Sequence, residues 1–280
     1  MIKLIHGNCL SELKKLEKQS IQCVVTSPPY WGLRNYNDDE QVGMEVIPGD
    51  YVEKIRLIFK EIWRVLKDDG VVWLNLGDTY VGTGKGDKRD PKASKHRNTK
   101  DDPINTKVPG FRSKNLIGIP WRVAFALQED GWNLRQDIIW EKPNAMPEPV
   151  KDRCTKAHEY IFLLSKSKIY YFDNVAIQEA AILPHEETRN KRSIWSINTQ
   201  QFKEAHFASF PPELPELCIK ASTKEGDTVL DPFAGAGTTG LVADRLGRNA
   251  ILMELNKEYC DIIQKRITGD APMFVELERF

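Results

Sequence analysis

The chain has 280 residues, with 40 Lys/Arg balanced by 40 Asp/Glu. That length suits one large α/β domain or one domain with a small appendage, and zero net charge argues against a uniformly basic nucleic-acid binder. The composition is 41% hydrophobic and 29% charged, and no run of about 18 apolar residues is present, which excludes a membrane-spanning helix. The five cysteines are scattered and never form C-x-x-C, so neither a disulfide framework nor a zinc ribbon is expected. MIKLIHGNCL lacks the long apolar stretch of a secretion signal, and a reducing cytoplasm is the expected setting.

In chain order, Lys3 to His6 reads as a strand, Leu10 to Leu16 as a helix, and Ile21 to Val25 as a buried strand. TSPPY follows at residues 26 to 30. From Asp50 a helix carries apolar residues at Ile55, Ile58, Phe59, Ile62, Val65 and Leu66, with Gly70 as its expected stop. Val71 to Leu76 is a strand, Pro120 to Gln128 a helix, and Gln136 to Trp140 and Tyr160 to Leu164 are strands. Ile169 to Phe172 is expected to pair beside the last of these. A closing run alternates PPELPELCIKAS, DTVLDPF, TTGLVADRLG and NAILMEL, with a last helix from Asn256. Strands separated by helices predict an α/β fold: a mostly parallel sheet with helices on both faces.

Two segments interrupt this rhythm. Residues 82–114 hold ten Lys/Arg, including Lys85, Lys88 and Arg89, against four Asp. An inserted, mobile basic loop is expected over 82–115. Residues 173–204 have weak periodicity and read as a small lobe.

DPFAGAGTTG at 231–240 places G-x-G-x-x-G between a strand and a helix, and Glu254 ends the next strand 19 positions after Gly235. On that spacing alone an NAD-dependent oxidoreductase stays open. Asp231 at the mouth of the loop would repel a pyrophosphate and favour a ligand bearing an ammonium group, such as the methionine part of S-adenosylmethionine. Only 26 residues follow Glu254, so the other strands must come from the N-terminal part. TSPPY then leaves a neighbouring strand of the same sheet.

TSPPY followed about 200 residues later by DPFAGAGTTG resembles the amino-methylating DNA methyltransferases, in the motif order of their β group. The likeness extends through IHGNCLSEL, EIWRVLKDDGVVWLNLGD, LRQDIIWEKPN, KAHEYIFLLSKS, HFASFPPELPELCI and ILMELNKEY. It implies a Rossmann-like, circularly permuted methyltransferase fold. S-adenosylmethionine would be the cofactor, and the product a methyl group on N4 of cytosine or N6 of adenine in duplex DNA.

The resemblance also assigns roles. The Ser27 hydroxyl and the Pro28 carbonyl would accept the two amino hydrogens of the target base, while Pro28 and Pro29 together stiffen that rail. Tyr30 would stack on the extruded base and Trp31 would extend the wall. Asp231, Phe233, Gly235 and Gly237 would line the cofactor site, with Thr238 and Thr239 at a helix N-terminus near the methionine carboxylate and Glu254 on the ribose. His206, Phe207 and Phe210 would close over the methionine end. Where relatives carry Gly-Asp, this chain has Gly7-Asn8, leaving the Asn8 side-chain oxygen as an uncharged acceptor for the adenine amino group. Serine in S-P-P-Y resembles the cytosine members, and the target nitrogen is expected to shed its proton to solvent.

The implied organisation is a catalytic part over 1–172, a target-recognition region over 173–204 with Arg189, Lys191 and Arg192, and a cofactor-binding part over 205–280. The basic loop would grip phosphates. Double-stranded DNA is the expected partner, with a cognate restriction endonuclease as a further one; the enzyme would be a monomer or homodimer. Trp63, Trp73, Trp121, Trp132, Trp140 and Trp195 read as core or interface residues, with Trp195 a candidate DNA contact. His158-Glu159 near Cys154 does not have metal-ligand spacing, and GTGKGD at 82–87 lacks the phosphate-loop spacing, so no metal is expected. Methylation of RNA or of a protein amide, and a non-catalytic DNA-binding module, are the remaining readings.

Overall fold

The computed structural model describes residues 1–33, 40–82, 108–181, 187–200 and 210–270, and the backbone of 275–276. Lys85, Lys88, Arg89, His206 and Phe207 lie outside these residues. The elements in chain order are β1 (Ile2–His6), α1 (Cys9–Leu13), β2 (Ile21–Thr26), α2 (Pro48–Val65), β3 (Leu66–Leu76), α3 (Ile119–Glu129), β4 (Asn133–Glu141) and β5 (His158–Ser165). There follow β6 (Glu179–Ala180), β7 (Thr188–Arg189), β8 (Ile194–Ser196), α4 (Glu213–Ser222), β9 (Thr228–Asp231), α5 (Thr238–Arg245), β10 (Asn249–Glu254), α6 (Lys257–Asp270) and β11 (Val275–Glu276).

The main sheet runs β11-β1-β10-β9-β2-β3-β5-β4-β8. Every neighbouring pair is parallel except those made by β5, which is antiparallel to β3 and β4. The expected mostly parallel α/β sheet is therefore present. N-terminal β1 and β2 flank C-terminal β10 and β9, so the two ends of the chain build one sheet.

Each central strand sends alternate side chains to opposite faces. Val24, Leu230 and Met253 join one core with α1, α2 and α3 residues such as Leu13, Phe59 and Val123. Cys23, Val25, Val229 and Leu252 join the other with Cys218, Val242 and Ile263 of α4, α5 and α6. With both faces covered, β2 is buried along its whole length, which is why IQCVVT reads as an apolar run rather than an alternation.

Three details depart from the sequence reading. Helix α2 ends at Val65 because Leu66 is already extended (ψ 137°), and Gly70 lies inside β3. There the β2 backbone passes so close that a Cβ would meet the Gln22 carbonyl at 2.7 Å. Residues 169–172 form no strand. Tyr171 N–H bonds the Asp69 carbonyl at 3.0 Å, and Phe172 packs on Trp73, so one backbone bond and one ring contact pin the segment instead. Within 173–204, β6 and β7 make a two-stranded hairpin, while β8 pairs with β4 in the main sheet.

Candidate active site

Strands β1, β10, β9, β2, β3 and β4 all end on one edge of the sheet, where antiparallel β5 begins. At that edge lies one cleft of about 1140 Å³. Its walls bring together Ser27–Tyr30 from the end of β2, Phe233–Ala236 and Thr238 from the glycine loop, Asn8, Glu254 and Phe210. Two motifs about 200 residues apart therefore share one cavity.

The TSPPY segment is held from several sides. Thr26 donates to Asp231 Oδ1 at 2.8 Å, joining β2 to β9. The Pro29 carbonyl accepts from the Tyr51 hydroxyl of α2 at 3.0 Å, so this proline's carbonyl serves as a strut. The Tyr30 ring lies against Gly77, where a Cβ would come within 2.5 Å of Cε2. Its phenol donates to Glu159 Oε2 at 2.5 Å and lies 3.1 Å from Asn75 Oδ1, and Ser27 Oγ donates to it at 3.4 Å. Burial and the Glu159 charge push the Tyr30 phenol well above its usual range, so it stays protonated.

Some expected site residues turn away from the cleft. Trp31 is 1% exposed and its indole N–H donates to the Glu45 carbonyl at 2.7 Å, so it packs in the core and offers no face to a base. Asp231 is also 1% exposed. Its carboxylate takes the Thr26 and Thr239 hydroxyls and the Phe233 N–H at 2.8, 2.7 and 3.1 Å, and it fastens β2, β9 and α5 behind the cleft wall. Burial pushes this carboxyl up to about 6. Thr239 is spent on the same tie, and the Thr238 hydroxyl accepts from Arg266 at 2.9 Å. Trp195 is 2% exposed and packs on Trp73 at 5.9 Å between ring centroids, which removes it as a DNA contact.

The opposite end of the cleft fits the cofactor chemistry. Glu254 accepts Gly235 N–H at 2.8 Å and Asn256 N–H at 2.9 Å, and burial raises it to about 7. Gly235 and Gly237 have φ of +53° and +74°, and a Cβ on Gly240 would strike Leu252 at 2.5 Å, so the loop brings α5 close against β10. The Asn8 side-chain oxygen caps α1 by accepting from Leu10 N–H at 2.9 Å. A carboxylate, the Phe233 ring and a helix N-terminus converging on one cavity suit a ligand with ribose hydroxyls, a flat base and a carboxylate.

Sequence reasoning missed the far wall. Glu159, at the start of β5, accepts from Asn75 Nδ2 at 3.1 Å and pairs with Lys142. Lys156 donates to the Asp78 carbonyl at 3.1 Å, and burial pushes its ammonium down. Burial, then the Lys156 charge, lowers His158. Asp78 itself caps α3 by accepting from Gly118 and Ile119 N–H, both at 3.0 Å. The signal was present in LNLGD and KAHEY: polar residues at the mouths of apolar strands. Arg189, Lys191 and Arg192 gather around Glu179 at 2.9, 3.8 and 2.6 Å, a cluster with more positive than negative charge.

The N6/N4 methyltransferase family model, described as DNA methylase, matches residues 21–265. The chain is 49% identical over 267 residues to the Type II methyltransferase M.Cfr9I of Citrobacter freundii, covering 95% of this chain and 88% of that protein. It is 46% identical over 270 residues to M.SmaI of Serratia marcescens, covering 95% and 90%. A candidate DNA modification methylase of Thermus thermophilus, complexed with S-adenosyl-L-methionine, shares the fold: TM-score 0.67, 24% identity, 100% of each chain. So does the PvuII cytosine-N4-specific DNA methyltransferase: TM-score 0.67, 21% identity, 98% and 94% of the two chains. The permuted sheet, the shared cleft and these likenesses converge: the chain belongs to the N6/N4 DNA methylase family of S-adenosylmethionine-dependent DNA methyltransferases.

Proposed function

We propose that the enzyme methylates N4 of cytosine in duplex DNA, and the observation that carries this is Ser27 in the cleft wall. The amino group of a base is a poor nucleophile because its lone pair is delocalised into the ring. The Ser27 hydroxyl and the Pro28 carbonyl are the two acceptors that draw the nitrogen toward tetrahedral geometry and direct its lone pair at the methyl group. A neutral acceptor in place of a carboxylate is the feature that favours cytosine. The target atom cannot be reached inside a base stack, so the base is extruded into the cleft and rests on Tyr30.

S-adenosylmethionine supplies the methyl group when bound. Glu254 holds its ribose, Phe233 its base, Asn8 the adenine edge, and Thr238 with the α5 N-terminus its carboxylate. Gly235 and Gly237 shape the loop, Phe210 closes the methionine end, and Asp231 and Thr239 act from behind, as struts. His206 and Phe207 are proposed to assist Phe210. The β6–β7 hairpin with Arg189, Lys191 and Arg192 is the target-recognition element, and Lys85, Lys88 and Arg89 grip phosphates. Since M.Cfr9I and M.SmaI are named Type II methyltransferases, a restriction endonuclease recognising the same site is a proposed companion. The test is digestion of DNA methylated by the enzyme to nucleosides. N4-methylcytosine is the expected product, and N6-methyladenine as sole product rejects this assignment in favour of an adenine enzyme.

A further inference from the structure

We propose that Ser27, Tyr30 and Glu159 form a proton relay that removes the amino proton displaced by methylation, with Glu159 as the acceptor. This rests on the reading that Ser27 receives the target amino group.

Attack by the amino nitrogen forms an N–CH3 bond as the S–CH3 bond breaks, leaving the nitrogen with one proton too many and a positive charge. Such a nitrogen, conjugated to the ring, is strongly acidic, and a base placed in line lowers the barrier to its formation. Release straight to solvent would need water at the reacting atoms. The hydrogen bonds already run the other way. Ser27 Oγ donates to the Tyr30 oxygen at 3.4 Å, and the Tyr30 phenol donates to Glu159 Oε2 at 2.5 Å. With its own hydrogen directed at Tyr30, Ser27 turns its lone pairs to the incoming amino group.

Transfer then moves one proton along each link. The amino proton passes to Ser27 Oγ, the serine proton to the tyrosine oxygen, and the tyrosine proton to the Glu159 carboxylate. Serine and tyrosine end neutral, as they began, and neither becomes an anion. The long first link is ordinary for a site without substrate, since such bonds tighten in the reacting complex. Asn75 Nδ2 donates to the same Glu159 oxygen at 3.1 Å, and Lys142 pairs with the other, which fixes the carboxylate. Glu159 lines the cleft and so has a way to return its proton to solvent.

The chain also explains a feature that stacking alone leaves idle. A ring needed only for its face would be served by phenylalanine, yet here the hydroxyl sits where three polar side chains converge.

The test uses the full-length enzyme with duplex DNA under single-turnover conditions, saturating in S-adenosylmethionine. Tyr30→Phe keeps the ring and Glu159→Gln keeps the shape of the acceptor. Each is expected to slow methyl transfer by about 100-fold or more, while dissociation constants for S-adenosylmethionine and DNA stay within about threefold. The double variant is expected to be no slower than the worse single, because both remove the same path. Glu159→Ala is expected to recover part of its rate with added formate and none with added chloride. A Tyr30→Phe rate within about threefold of wild type, or multiplicative losses in the double variant, overturns the relay. Failure of formate to rescue does the same, even if Glu159→Gln folds poorly. Identifying the product base with the wild-type enzyme is independent of these rates. An adenine product would reject the cytosine assignment and leave the relay standing, since either amino group sheds one proton.

Discussion

At the residue scale, the site is built as much by what holds TSPPY as by TSPPY itself. Asp231 satisfies two buried hydroxyls and a part-buried backbone N–H, so Asp231→Ala removes the acceptor of all three, leaving only Thr239 a second one in the Val25 carbonyl at 3.4 Å. A loss of roughly 2–4 kcal/mol of stability is expected, read by denaturant unfolding. Gly77→Ala is the complementary case. The added methyl meets the Tyr30 ring, which then shifts from its seat, and methyl transfer is expected to fall by about 10–100-fold with S-adenosylmethionine affinity within about twofold. Calorimetry on the free enzyme beside single-turnover rates separates the two effects. Ser27, Pro28 and Tyr30 were legible in the sequence because S-P-P-Y is a compact, stiff pattern. Glu159 was not, because its place in the cleft comes from β5 running antiparallel to β3. That pairing lays Glu159 beside Tyr30, and no local spacing records it.

At the element scale, the Glu254 carboxylate ties the glycine loop to the strand that carries it, beside the Ala234 N–H to Met253 carbonyl bond at 2.9 Å. The carboxylate's upward shift to about 7 has a definite sign. The folded protein holds this proton more tightly than the unfolded chain, so the protonated carboxyl stabilises the fold below the usual glutamate range. That contribution is lost as pH rises from about 4.5 to about 7 and is flat above. Asp231 acts in the same direction up to about 6. Ribose hydroxyls need the carboxylate as acceptor, so cofactor binding runs the opposite way. Affinity for S-adenosylmethionine is expected to weaken about tenfold per pH unit below about 7 and to plateau above, measured by calorimetry without DNA. A flat affinity from about pH 5.5 to about pH 8 would show that Glu254 does not hold the ribose as a carboxylate. The helices and strands themselves were mostly readable, since apolar periods of two and 3.6 survive in the sequence. The end of α2 was not: LKDDG has helical composition, but parallel pairing with β2 captures Leu66 into β3.

At the scale of the whole molecule, β8 closes one edge of the main sheet. Strand β8 is fastened by Trp195, which packs on Trp73 and donates to the Arg192 carbonyl at 3.0 Å. Trp195→Ala is expected to cost about 3–5 kcal/mol, lowering the melting temperature by roughly 10 °C. The β6–β7 hairpin sits just before it. Arg192 belongs to the proposed target-recognition element, so Arg192→Ala is expected to lower DNA affinity by about 1–3 kcal/mol, and more for the cognate site than for unrelated sequences. It also reduces the slope of log affinity against log salt by about one. An unchanged slope would remove Arg192 from the interface.

By itself the sequence determined the class of the fold, the family and the cofactor, because each is written in contiguous residues or in the period of apolar ones. It also located the acidic residues of the cofactor region without showing that Asp231 points inward. Only the tertiary structure decided which side chains face the cleft and which brace it from behind. Trp31, Asp231 and Thr239 went to the core side, and Glu159, Asn75 and Lys142 came to the working side. The physical reason is that a strand's side-chain direction is fixed by pairing and by the helices covering each face. The decisive contacts, such as Thr26 with Asp231 and Tyr30 with Glu159, join residues 205 and 129 positions apart, where sequence spacing carries no information.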